Sequence, residues 1–314
     1  MSNETLYDII IIGGGPAGLA AGLYAGRANM KVALIERGMP GGQASTTDLI
    51  ENYPGVESVE GPALSMIMHK QAESFGTEYI TGTVETIKDE GKIKVLHTSN
   101  GELRTKAVIL ATGAEPRKLG VPGEEEFRGR GVSYCATCDG AFFRGKELVV
   151  VGGGDSAVEE GIYLTRHATK VTIIHRRDKL RAQKILQDRA FKNEKIDFIW
   201  DTTVQSIEGE GKVQKVVLKN TKTGDTKEFP ADGVFIYVGM KPNTDFLKGS
   251  DIESILNDEG YIVTDAKMQT NIPGIFAAGD VRDTVLRQVV TATADGAVAA
   301  FYAGHYVEAW ADEA

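Results

Sequence analysis

Two stretches of the chain repeat one pattern of apolar and polar positions. Ile9-Ile10-Ile11-Ile12 is an unbroken apolar run that ends in Gly13-Gly14-Gly15-Pro16-Ala17-Gly18, and Leu148-Val149-Val150-Val151 ends likewise in Gly152-Gly153-Gly154-Asp155-Ser156-Ala157. A short apolar run bounded by glycines predicts a buried strand. Helix-period residues follow each turn, from Leu19 to Arg27 and from Ala157 to Arg166, and a second strand closes each copy, Lys31 to Ile35 and Lys170 to Ile174. Strand, glycine turn, helix and strand make a Rossmann unit, which presents a helix N-terminus to a pyrophosphate. The pattern therefore predicts an α/β protein that holds two dinucleotides.

Alternating runs at Thr83–Ile87, Lys92–Leu96 and near Val204–Val217 predict hairpins in both copies. The last segment has an apolar run ending in Ala277-Ala278-Gly279-Asp280 and a helical pattern from about Gln288 to Glu308, but no third glycine fingerprint. Its expected home is the first domain. The second domain is then an insertion, giving 1–116 with 246–314 as one domain and 117–245 as the other. The connections lie near Glu115–Leu119 and Pro242–Leu247.

The ends of the two second strands differ in charge. Glu36, followed by Arg37, stands where an acid grips a ribose hydroxyl, so the first site expects an adenosine without a 2′-phosphate. The second strand ends in His175-Arg176-Arg177, with Arg181 further on. A basic run is often only a solvated face, but at this position guanidiniums select a 2′-phosphate, hence NADPH over NADH. His175 is a helper there without a defined role.

The chain has two cysteines, Cys135 and Cys138, just ahead of the second fingerprint. Half a zinc site is the alternative reading, but His69, His97, His167 and His305 show no paired spacing to complete it, so no metal is expected. A redox disulfide points to electrons passing from one dinucleotide, through the other, to sulfur. Asp139 is the adjacent candidate for managing thiol protons, with a plain Asp-Gly turn as its alternative.

At 314 residues the chain has room for two cores, and its net charge of −9, from 44 acidic and 35 basic residues, argues against nucleic-acid binding. It has no apolar run of membrane-spanning length and an acidic N-terminus, so the expectation is a cytoplasmic protein with no membrane partner.

Cys135-Ala136-Thr137-Cys138-Asp139-Gly140, with Gly-Gly-Gly-Asp-Ser-Ala and His-Arg-Arg-Asp-Lys-Leu-Arg behind it, resembles the low-molecular-weight thioredoxin reductases. The ordered segments Gly41-Gly42-Gln43, Glu51-Asn52-Tyr53-Pro54-Gly55, Ala111-Thr112-Gly113-Ala114, Gly239-Met240-Lys241-Pro242-Asn243 and Gly274 to Asp280 extend the resemblance over nearly the whole chain. It implies two Rossmann-like domains of three-layer ββα type, the NADPH domain inserted into the FAD domain, in a homodimer whose protein substrate is thioredoxin.

By the same resemblance, FAD is held by Gly13, Gly15, Pro16, Ala17, Gly18, Glu36, Arg37, Gly42, Gln43, Asn52, Ala111, Thr112, Gly113, Gly279, Asp280, Arg287 and Gln288, although Asp280 also reads as an N-cap. NADPH falls to Gly152, Gly154, Asp155, Ser156, Ala157, His175, Arg176, Arg177 and Arg181. Cys138 is then the thiolate against the flavin, Cys135 the interchange thiol, and rotation about the two connections brings nicotinamide and disulfide alternately to the flavin. The chain departs from many members by placing Ala141 before Phe142-Phe143, a segment implied to touch thioredoxin. Two rivals stay open, a reductase for another thioredoxin-like disulfide protein and a non-catalytic redox sensor.

Overall fold

The computed structural model describes residues 5–47 and 49–310. The chain forms two units, Met1–Glu115 with Lys241–Ala314, and Pro116–Met240. The first unit opens with β1 (Leu6–Ile12), α1 (Pro16–Arg27), β2 (Val32–Glu36), α2 (Gly61–Ser74) and β3 (Glu78–Thr81). A meander of β4 (Val84–Glu90), β5 (Ile93–Thr98) and β6 (Gly101–Leu110) follows, and β7 (Ala114–Pro116) carries the chain out. The second unit begins with β8 (Val132–Ser133) and the one-turn helix α3 (Ala136–Asp139), then repeats the plan with β9 (Glu147–Gly152), α4 (Asp155–Leu164), β10 (Lys170–Ile174), α5 (Lys184–Phe191) and β11 (Ile196–Ile199). Its meander is β12 (Thr202–Glu210), β13 (Lys212–Asn220) and β14 (Thr226–Pro230), followed by β15 (Gly233–Tyr237). The chain returns through β16 (Met240–Pro242) and ends with β17 (Ile275–Ala277) and α6 (Val289–Glu308).

Each unit is built on five parallel strands. In the first the order is β3-β2-β1-β6-β17, with β5 and β4 continuing antiparallel from the first half of β6. In the second it is β11-β10-β9-β15-β8, and the meander forms a separate three-stranded sheet. Alternate residues of the central strands face opposite cores. Ile9 and Ile11 pack with α1, α2 and α6, whereas Ile10 and Ile12 pack with Val84, Ile87 and Leu96 of the meander. Leu148 and Val150 likewise meet α4 and α5, while Val149 and Val151 meet Val204, Val216 and Leu218. Burial on both faces is why these strands read as continuous apolar runs instead of alternating ones. Both units are therefore Rossmann-type α/β structures, as the pattern predicts, and three-layered, as the resemblance implies.

The chain crosses between units at 115/116 and 240/241, where the sequence places the crossings at 116/117 and 245/246. Asn243 lies with the first unit because its side chain and backbone bond to Thr112 and Gly113. The crossing strands β7 and β16 pair with each other. Among the described residues, no helix is long and apolar enough to cross a membrane, and no three acidic, His or Cys side chains gather as a metal site.

Candidate active site

The first glycine turn is shaped by close approach. Gly13 has φ +107°, and a Cβ there would lie 2.4 Å from the Ala111 carbonyl oxygen, so the position admits only glycine. Gly15 is the N-cap of α1 and Pro16 its first residue, where a missing N–H costs nothing. Ala17 is buried, and Gly18 lies against the Gly13 carbonyl. Glu36 turns back from the end of β2. Its Oε2 accepts the Gly14 N–H at 2.7 Å and its Oε1 the Gly38 N–H at 3.1 Å. Gly42 draws close to Gly15, and the Gly41 N–H bonds to the Gly14 carbonyl at 2.7 Å.

Other expected residues gather from distant parts of the first unit. The buried Ala111 donates its N–H to the Ile12 carbonyl, and Thr112 Oγ1 donates to the Asn243 carbonyl at 2.8 Å. Asn52 Nδ2 bonds to Gln288 Oε1 at 3.0 Å across 236 positions of sequence. Gln43 is exposed on a 3-10 turn over Gly42–Thr46, and Arg37 is exposed, 3.1 Å from Glu115.

Asp280 follows β17 on a 3-10 turn and caps no α-helix, since the N-cap of α6 is Gln288. Burial pushes its carboxyl up to about 6, against the pull of the nearby Arg287 guanidinium, and Asp295 adds to the rise. Arg287 lies over the Tyr261 ring at 4.6 Å, and its Nε is buried without a partner. Asp295, in contrast, is satisfied by the Gly279 N–H at 3.1 Å and Arg282 Nη1 at 2.5 Å. A buried acid under strain and an unpaired guanidine N–H stand in one unit with open space over Gly113 and Gly15, where a Cβ would meet nothing closer than 4.0 Å. That donor and acceptor set fits a ligand carrying hydroxyls and a pyrophosphate.

The second glycine turn has a different floor. Gly152 has φ +151° and sits over the buried Ala157, while a Cβ on Gly153 would lie 2.3 Å from His175 Nδ1. His175, at the end of β10, fills the place that the Glu36 carboxylate fills in the first unit. Burial, then the charges of Arg181, Arg177 and Arg176, hold it below the ordinary histidine value, and its Nε2 has no partner. The Arg181 N–H bonds to the Gly153 carbonyl at 2.7 Å, which fixes the arginine loop beside the turn. Arg176, Arg177 and Arg181 are exposed, and Asp178, the acid within the run, faces Lys222 at 3.9 Å. Gly154 caps α4 with open space above it. Asp155 accepts the Gln183 N–H at 2.6 Å, and Ser156 is exposed.

Cys135 and Cys138 form a disulfide with Cα atoms 5.3 Å apart. Cys135 caps α3, its Sγ accepting the Cys138 N–H at 3.2 Å. Ser133 Oγ donates to Asp139 Oδ2 at 2.6 Å and accepts the Cys135 N–H at 3.1 Å, so Asp139 reaches the first cysteine through one hydroxyl. On the other side the Ala136 N–H donates to the Tyr237 hydroxyl at 2.7 Å. Burial, reinforced by Glu160 and then Asp139, raises the Tyr237 phenol well above its ordinary value and keeps it neutral. Of the two aromatics after Ala141, Phe142 is exposed, while Phe143 packs edge-on against Phe235 at 5.2 Å.

Sequence reasoning missed Ser133, Tyr237 and Glu160. The first two end parallel strands β8 and β15, the rim where open α/β sheets collect their sites, so marking the last residue of each strand finds them. Glu160 has no such signal, because only packing reveals its burial.

The chain matches the family model for pyridine nucleotide-disulphide oxidoreductases over residues 7–296. It is 58% identical to thioredoxin reductase from Bacillus subtilis over 309 residues, 98% of this chain and 97% of that protein. Thioredoxin reductase from Listeria monocytogenes is also 58% identical, over 98% of this chain and 96% of its own length. Among solved structures, thioredoxin reductase from Streptococcus pyogenes superposes with a TM-score of 0.91 at 56% identity, covering 98% of this chain and 100% of that one.

Proposed function

The chain belongs to the pyridine nucleotide-disulphide oxidoreductases, within the thioredoxin reductases, and from that premise we propose that it reduces oxidised thioredoxin with electrons from NADPH, through FAD and the Cys135–Cys138 disulfide. The observation that carries this reading is a disulfide capped into a one-turn helix and held between Ser133–Asp139 and Tyr237, in a chain with two glycine turns. When bound, the two dinucleotides would supply the hydride and the electron pair that the disulfide needs. The protein positions them and manages protons.

In the first unit Gly13, Gly15, Pro16, Ala17 and Gly18 would cradle the flavin pyrophosphate, and the Glu36 carboxylate would accept a ribose hydroxyl, with Arg37 beside it. Gly42, Gln43, Asn52, Ala111, Thr112, Gly113, Gly279, Asp280, Arg287 and Gln288 complete that site. In the second unit Gly152, Gly154, Asp155, Ser156 and Ala157 form the nicotinamide dinucleotide cradle, and His175, Arg176, Arg177 and Arg181 take the 2′-phosphate. After reduction, Cys135 attacks the thioredoxin disulfide to give a mixed disulfide. Cys138 then attacks Cys135 Sγ, which restores the intramolecular disulfide and releases reduced thioredoxin. Asp139, held in place by the Ser133 hydroxyl, is the acid that exchanges a proton with the departing and returning thiols. A homodimer, a cytoplasmic setting and a hinge at β7 and β16 belong to the same reading.

The test follows NADPH oxidation by the purified protein with oxidised thioredoxin, beside NADH and beside Cys138→Ser. Turnover with NADPH, little with NADH and none with the variant supports every step. Flavin reduction by NADPH with thioredoxin left oxidised removes the partner and moves the search to other disulfide proteins.

A further inference from the structure

Glu160 lies on α4, the helix that packs beside the redox turn α3. Its Oε2 is buried and has no hydrogen-bond partner. A charged oxygen in that position is costly, so the carboxyl holds a proton more tightly than a solvated one, yet still ionises above neutral pH. Burial first, and the charge of Glu159 second, push its ionisation up to about 7.

The groups around it come from several elements. Glu159 is its neighbour on α4, Tyr237 comes from the end of β15, and Asp139 from α3 acts on the same tyrosine. The other helix packed on α4 is α5, whose Lys184 and Asp188 pair with each other at 3.0 Å and whose last turn carries Arg189. Burial and a second carboxylate are what move Glu160. The Tyr237 phenol feels the Glu160 charge, and its hydroxyl accepts the N–H of Ala136, the residue directly after Cys135.

We propose that Glu160 is a positioning residue of the redox turn that, through Tyr237, takes up a proton when the Cys135–Cys138 disulfide is reduced. Reduction breaks the S–S bond with two electrons. If one sulfur takes a proton and the other remains a thiolate, the turn gains a negative charge, and the unpartnered Glu160 carboxyl on the helix packed beside it binds a proton more tightly. The balance is a disulfide and an ionised Glu160, with two electrons and two protons, giving one thiol, one thiolate and a protonated Glu160. In turnover the electrons come from NADPH, which rests on the reading above; in the test they come from a dithiol.

The test measures the dithiol–disulfide equilibrium of the flavin-loaded enzyme in dithiothreitol redox buffers from about pH 6 to 8.5, read by thiol alkylation and mass. Wild type, Glu160→Gln and Tyr237→Phe are compared, with thermal unfolding as a check on folding. Glu160→Gln matches the protonated acid in shape and does not titrate. Its equilibrium is expected to lose up to one coupled proton, about tenfold per pH unit, between pH 6.5 and 8. Tyr237→Phe should fall between the other two, and Glu160→Asp should restore part of the slope.

Equal slopes in wild type and Glu160→Gln overturn the proposal, including the case in which turnover of the variant is slower, which assigns Glu160 to packing alone. Failure of the thioredoxin assay with a clear slope difference removes the functional reading and leaves this one standing.

Discussion

The first glycine turn closes on a carboxylate and the second on an imidazole, although the strands, helices and meanders around them follow one plan. Glu36 accepts the Gly14 N–H at 2.7 Å, whereas His175 sits under Gly153 with three guanidiniums beyond it. The units also differ in where the fifth parallel strand comes from. β17 arrives from the C-terminal segment and is followed by Gly279-Asp280, while β8 arrives from the N-terminal side and is followed by Cys135 and α3. Asp280 and the redox disulfide thus occupy the same topological place. The backbone supplies the cradle in both units, and the residues at strand ends decide what each cradle does.

The sharpest way to break that comparison is to treat the glycines alike. Gly13→Ala puts a Cβ into the Ala111 carbonyl at φ +107° and should cost about 4 kcal/mol or more, seen as loss of folded, flavin-bound protein. Gly154→Ala has ordinary backbone and nothing within 4 Å, so its melting temperature should stay put while KM for NADPH rises about tenfold from blocked pyrophosphate approach. Equal losses of stability in both variants would show that the second cradle is packed as tightly as the first.

The charge difference comes next in size. A hydrogen bond to a charged group contributes about 1.5–3 kcal/mol, so Arg176→Ala with Arg177→Ala should lower kcat/KM for NADPH by about 100-fold and leave NADH within about twofold. A parallel fall with both cofactors would make the arginines a general surface field. Asp280 gives a smaller effect with a definite sign. Its folded value is raised from 3.8 to about 6, so ionisation opposes folding, and its favourable share is complete below 3.8 and lost as pH rises through about 6. Flavin-stripped Asp280→Asn should therefore be more stable than wild type by on the order of 2 kcal/mol at pH 7.5, with no gain at pH 4, while retaining flavin poorly. The equivalent place in the second unit holds a disulfide, which does not titrate, so no such pH-dependent gain arises there.

Both glycine turns, the acid and the basic cluster at the second-strand ends, and the cysteine pair were legible because each has a fixed spacing from a recognisable strand. The insertion was legible too, from the absence of a third fingerprint after Asn271. Less visible was anything set by packing between distant segments. Asn243 reads as linker, yet it bonds to Thr112 and Gly113. Phe142 and Phe143 read as a pair, yet Gly233 and Phe235 receive Phe143 and leave only Phe142 outside. His175 reads as a minor helper to the arginines, yet its ring forms the floor of the turn, which follows only from how close β10 brings it to Gly153.

His175 gives the smallest effect and the most direct reading of the charge asymmetry. Its folded value is lowered, by burial first and then by Arg181, Arg177 and Arg176. A depressed histidine contributes stability that is present above its ordinary value of 6.5 and lost as pH falls towards the folded value. His175→Asn should therefore flatten the loss of stability as pH falls below 6.5, read as a smaller drop in melting temperature than in wild type. A bound 2′-phosphate cancels part of the positive field of the guanidiniums, so adding 2′,5′-ADP should move the imidazole titration upward when followed by proton NMR. A titration unmoved by the nucleotide would mean that the phosphate and the three arginines do not meet beside this ring. The second turn would then differ from the first in the packing of its floor and not in the ligand it selects.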